Sequence, residues 1–174
     1  RVIESPVADI SGDTAVCRGA PAPNISFTNP LSSIIQVTYN INGSGNYTIV
    51  VQANSTASVA APTNNPGIFT YEIASVRYMT SAFCENTNIT DSAQVIVIEP
   101  PVPVITGPDT MCAGTSGNIY TTETGMFNYI WTVSSGGTIT SGGSTNNNTV
   151  TVTWDNAGSQ TVSVRYTDGD NCTA

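Results

Sequence analysis

Cysteine is the residue of this chain best equipped for chemistry with its own kind, and there are four of them, at positions 17, 84, 112 and 172. Under a shift of 95 residues Cys17 falls on Cys112, and under a shift of 88 Cys84 falls on Cys172. Sixty-seven positions separate the first pair and 60 the second. Four cysteines allow three connectivities, and the recurrence selects Cys17 with Cys84 and Cys112 with Cys172. Loops of this length would each stabilise the chain by roughly 4 kcal/mol if the unfolded state is what the bridge restricts. Such bridges imply an oxidising compartment. A zinc site is not expected, because the spacing is not that of clustered ligands and the chain has no histidine.

Few other residues offer a reaction. With neither histidine nor lysine, a Ser/His/Asp triad, a Cys/His dyad and Schiff-base chemistry are excluded, so no catalytic site and no cofactor are expected. Asp168 and Asp170 in "DGDN" are a fragment of a calcium loop, but no further acid stands near them, and the first half has "MTSA" at the matching place. Trp131 and Trp154 suit either a sugar-stacking platform or a core; an aromatic within an alternating run favours the core. Tyr78 and Tyr166, equivalent by repeat, are read as structural. Six asparagines, 24, 46, 54, 88, 147 and 171, stand in N-x-S/T triplets, as a chain so rich in Asn and Thr produces by chance. Four arginines against 12 acidic residues give a formal net charge of -8, which disfavours nucleic acid. No run approaches the ~20 apolar residues of a membrane span, and no signal segment opens the chain, so an export signal is expected outside it.

The elements that must position these residues are strands. Thr, Ser, Asn and Gly dominate, and only 9% of residues are charged, a composition that suits strand faces and turns. Under the shift of 95, "VIESPVADISG" (2–12) falls on 97–107, and "SVRYMTSAFC" (75–84) returns as "SVRYTDGDNC" (163–172). The shifts differ by seven, so the second unit is shorter in the middle while sharing both ends. Alternation predicts strands near 6–10, 23–28, 34–41, 46–52, 56–60, 67–79 and 93–99 in the first unit. In the second it predicts 102–106, 117–123, 127–133, 137–141, 148–154 and 160–167, with "DNAG" (155–158) as a hairpin turn. Phe69, Tyr71 and Ile73 share one parity while Val76 and Tyr78 share the other, which predicts a bulge near 73–76. The organisation is two tandem immunoglobulin-like β-sandwiches. Residues 5–99 form the first, residues 100–174 a second lacking its last strand, and residues 1–4 the tail of such a strand from a preceding unit.

Residues 104–143, "VITGPDTMCAGTSGNIYTTETGMFNYIWTVSSGGTITSGG", with "TVTVTWDNAGSQTVSVRYTDGDNCTA" at 149–174, resemble the PKD-like, immunoglobulin-like repeats of large secreted surface proteins of Bacteroidota. "NPGIFTYEIASVRY" followed by Cys84 resembles a companion repeat type. The resemblance implies a β-sandwich, secretion by the type IX route to the cell surface, and service as stalk or spacer in an adhesin or filament. It also implies O-glycosylation at Asp-Ser/Thr motifs, here at Thr14, Ser92 and Thr110. Neighbouring repeats or adjacent copies in a fibre are the expected partners, with surface glycans if the module binds carbohydrate for a secreted enzyme. A third possibility is a fibre in which residues 1–4 of one chain complete the open sandwich of the next.

Overall fold

The computed structural model describes residues 3–80 and 84–174. Every regular element in it is a strand, so the fold is all-β. The contact pattern divides the chain into two units, Arg1–Ile98 and Glu99–Ala174.

The first unit contains β1 (Asp9–Ser11), β2 (Thr14–Cys17), β3 (Asn24–Asn29), β4 (Ile35–Ile41), β5 (Ser44–Val51), β6 (Ser55–Ala60), β7 (Gly67–Tyr78), β8 (Glu85–Asn86) and β9 (Ser92–Ile98). One sheet has the order β1-β3-β6 and the other β2-β9-β7-β4-β5, with β8 on β7. Period-2 alternation decides the faces: Ile25 and Phe27 of the first sheet meet Val37, Tyr39, Tyr71, Val76 and Val95 of the second in one core. The expected bulge is present. Thr38 pairs with Ser75 and Tyr39 with Ile73, so Ala74 is the extra residue, and Tyr71, Ile73 and Val76 all stay buried. Asn42 and Gly43 close the β4–β5 hairpin with φ of 51° and 70°, the handedness that a two-residue turn needs.

One buried polar side chain ties the two sheets together. Asn29, at the end of β3, is fully buried. Its amide donates to the carbonyls of Ser33 (2.9 Å), Val51 (3.2 Å) and Gln52 (2.9 Å), and its Oδ1 accepts the Leu31 N–H (2.9 Å). Asparagine is suited to this place because it carries donor and acceptor on one short arm.

The second unit contains β10 (Thr115–Thr121), β11 (Phe127–Val133), β12 (Gly137–Gly142), β13 (Thr149–Trp154) and β14 (Val162–Thr167). Its sheets are β10-β13-β12 and β11-β14. Between them lie Tyr120, Tyr129, Trp131, Val150, Val152, Trp154, Val164 and Tyr166.

Several expectations need correction. Residues 155–158 are not a hairpin turn: β13 pairs with β10 and β12, while β14 pairs with β11, so "DNAG" carries the chain from one sheet to the other. Two adjacent alternating runs look alike whether they pair or face each other across a core. The strand expected at 102–106 reduces to a single bridge between Thr106 and Thr121. β2 and β8 were not anticipated; at four and two residues they carry too little alternation to register. Of the strand tail expected at residues 1–4, Ile3 and Glu4 lie in no strand, and Arg1 and Val2 are outside the described residues.

Candidate functional site

The cysteines do not pair within their units. Cys84 and Cys112 are free thiols, whereas Cys17 and Cys172 are disulfide-bonded. The expected Cys17–Cys84 bond fails on distance. Cys17 pairs with Ile98, beside the Gly67 end of β7, while the Cys84 carbonyl accepts the N–H of Tyr78 at the other end. Eleven strand residues at about 3.3 Å each put roughly 35 Å between those ends. A disulfide tolerates no more than about 7 Å between Cα atoms. The Cys112–Cys172 bond fails similarly. Cys112 lies at the Trp154 end of β13, where the Gly114 N–H reaches the Trp154 carbonyl. Cys172 folds back on Asp168 beyond β14, on the side where Tyr166 meets Glu123. The intervening length of β13 alone is about 17 Å.

The second unit holds a cleft of about 460 Å³ walled by Ile105, Met111, Tyr120, Trp154 and Val162 with residues 156–158. Trp154 Nε1 donates to the Tyr120 hydroxyl (3.0 Å), and that hydroxyl points on to Met111 Sδ (3.7 Å). The repeat explains why the cleft is there. Asp109, Thr110 and Met111 on one wall are the counterparts, at a shift of 95, of Thr14, Ala15 and Val16 in β2. Asn156, Ala157 and Gly158 on the other are the counterparts, at a shift of 88, of Ile68, Phe69 and Thr70 in β7. In the first unit those two strands flank β9, pairing with it on either side. The cleft is thus the place that β9 fills in the first unit, and among the described residues no strand other than β11 pairs with β14.

At the opposite end, Glu123 gathers hydrogen bonds from the Thr122 hydroxyl, the Tyr166 hydroxyl (2.9 Å) and the Val104 N–H (3.0 Å). The Thr122 hydroxyl above all holds the Glu123 carboxyl below the usual range, against the opposing effect of desolvation. Burial, with the bond to Glu123 second, pushes the Tyr166 phenol up to about 12. The arrangement anchors residue 104 to the sandwich.

The remaining predicted residues are placed as follows. Trp131 and Trp154 are core, 7% and 4% exposed, and Trp131 Nε1 donates to the Asn147 carbonyl (2.9 Å), so neither supplies an exposed sugar platform. Tyr166 is buried and Tyr78 packs against the first core. Asp168 Oδ1 accepts the N–H of Asp170 (3.0 Å) and of Cys172 (2.9 Å), closing its own turn. Among the described residues no group of three or more His, Cys, Asp or Glu converges. Ser92 and Thr110 are exposed and Thr14 half-buried. The aspartates before two of them serve the fold: Asp13 accepts from the Gln94 N–H and Asp91 from the Ile10 N–H. Asn54 and Asn171 occupy left-handed turn positions. No described helix is long and apolar enough to cross a membrane. From the sequence the second sandwich is expected to lack its last strand, but the walls of this cleft do not stand out there as a site.

Residues 98–174 match the PKD-like domain family. The match covers the second unit and less than half of the 174 residues. No curated protein matches the chain. Among solved structures, invasin, a bacterial integrin-binding protein, is similar at 16% identity and a TM-score of 0.35, over 94% of this chain and 36% of its own. The C-terminal 282-residue fragment of intimin, solved with the intimin-binding domain of the translocated intimin receptor, is similar at 15% identity and a TM-score of 0.37, over 99% of this chain and 62% of its own. Red sea bream transglutaminase is similar at 7% identity and a TM-score of 0.32, over 98% of this chain and 30% of its own. This chain therefore spans about a third of the invasin structure and under two thirds of the intimin fragment.

Proposed function

We propose that these residues are spacer modules of a larger extracellular surface protein of the adhesin or filament type, with a structural rather than catalytic role. The observation that carries this reading is where the polar chemistry goes. Among the described residues no buried side-chain nitrogen or oxygen lacks a partner, and the partners hold turns and sheet ends together. The sequence "EPPVP" at 99–103 adds three prolines in which φ is fixed, a segment that resists both helix formation and free bending. Neighbouring repeats are the partners this reading requires. Export by the type IX route, a place on the bacterial surface and glycans on Thr14, Ser92 and Thr110 belong to the same reading. Electron microscopy of the intact parent protein tests it: a long thin fibre is expected, and a compact particle would refute it.

The cleft favours a second reading, completion of the sandwich by an added strand. A peptide of residues 91–99, "DSAQVIVIE", carries β9 and the side-chain alternation that fits its slot. Added to the chain it should change Trp154 fluorescence and protect β14 amides from exchange. A peptide with Val95 and Val97 replaced by Asp should do neither, and equal effects from both would end this reading.

A further inference from the structure

The cysteines have the same arrangement in both units. In the first, Cys84 lies at the end where the chain enters, since the Asn86 amide beside it donates to the Pro6 carbonyl (3.0 Å), and Cys17 lies at the far end beside Ile98. In the second, Cys172 lies at the end where the chain enters, since the Val104 N–H meets Glu123, which Tyr166 also reaches. Cys112 lies at the far end, beyond Trp154. Each unit therefore carries one cysteine at each end, too far apart to meet inside it. Cys84 and Cys112 are free, the first half-buried and the second exposed. Their repeat counterparts, Cys172 and Cys17, are disulfide-bonded. Both kinds of position therefore take a sulfur partner in this fold.

We propose that Cys84 and Cys112 are end couplers, each forming a disulfide with a module outside this chain. Cys84 takes a far-end cysteine of the Cys112 kind, and Cys112 takes an entrance-end cysteine of the Cys84 kind. The polarity follows from the repeat, which puts unlike cysteines at facing ends when modules follow one another head to tail. The bond forms by exchange with a low-molecular-weight disulfide. One cysteine thiolate attacks it and releases a small thiol. The second cysteine thiolate then displaces the other, so two electrons leave with two small thiols. The inference rests on the spacer reading for its end-to-end geometry, but its test is independent of the parent's shape.

Cys84→Ser and Cys112→Ser chains are each incubated at about 1 mM, the effective concentration of linked modules, in a glutathione redox buffer, alone and mixed. Non-reducing mass spectrometry reads the products. The mixture should give a dimer joined through Cys84 of one chain and Cys112 of the other, at least tenfold above either homodimer. A mixed dimer near the statistical twofold, or none, would overturn the proposal. So would wild-type chain that closes Cys84 to Cys112 internally, seen as a monomer about two mass units lighter with the linked peptides in its digest. Far-UV circular dichroism of each variant confirms that the Ser chains remain folded, and Cys→Ala versions repeat the test if one does not.

Discussion

Asn29 is where a single atom's identity should matter most. Its amide serves three carbonyls with two hydrogens, and its oxygen holds the Leu31 N–H, all inside a fully buried site. Asn29→Ala strands at least the Leu31 N–H and the Val51 carbonyl. Each buried group left without a partner costs about 1–3 kcal/mol, so the first unit should lose about 3 kcal/mol. That is a large share of the ~5–10 kcal/mol typical of a small domain. Asn29→Asp is the sharper test, because it preserves shape and replaces the donor with an acceptor facing carbonyls. Burial and those carbonyls both disfavour the charged form, so the folded pKa of the new carboxyl should rise above its unfolded value of about 3.9. A raised folded pKa means that its neutral form supports stability below pH ~4, and that this support is lost as pH rises through the folded value. The Asp variant should therefore weaken between pH 4 and 7, at about 1.4 kcal/mol for each unit by which the folded pKa exceeds the unfolded one. Urea unfolding is followed by tyrosine fluorescence and circular dichroism, which report both units. Trp131 and Trp154 both lie in the second, so tryptophan fluorescence identifies its transition separately. An Ala variant within 1 kcal/mol of wild type, or an Asp variant with the wild-type pH slope, would refute the reasoning.

Other consequences are equally direct. Glu123 has a depressed pKa, so its contribution is present above the unfolded value and lost as pH falls through the folded one; Glu123→Gln should flatten the acid limb of the tryptophan-detected transition. Tyr166 titrates near 12 when folded, so it should destabilise the second unit progressively between about pH 10 and 12, and Tyr166→Phe should remove that loss in an alkaline unfolding series. Gly12 has φ of +131° and a Cβ there would stand 2.6 Å from the Asn24 carbonyl, so Gly12→Ala should lower the thermal midpoint of the first unit by several degrees in calorimetry. Trp154→Phe removes the donor to Tyr120 and part of the cleft wall; denaturant unfolding should show a loss of about 2 kcal/mol.

What the residues determined by themselves was periodic and local. Alternation in "TVTVTW" and "SVRY" assigned strands and inward faces, the parity change after Ile73 located the bulge, and the two shifted matches revealed the repeat. The strings from which the resemblance to PKD-like repeats was drawn lie within residues 98–174, the part that matches that family. What the tertiary structure decided was non-local. Strand period reports which side faces inward but not which strand lies alongside, so "DNAG" read as a hairpin when it crosses between sheets. Recurrence of two cysteines in each repeat suggested bonds within the repeats, yet the length of β7 holds Cys17 and Cys84 at opposite ends of one sandwich. Asn29 is one polar letter among many in the sequence; only the approach of β3 to the end of β5 makes it a buried clasp. Distances between residues far apart in the chain are set by how whole sheets stack, and no short window of sequence contains them.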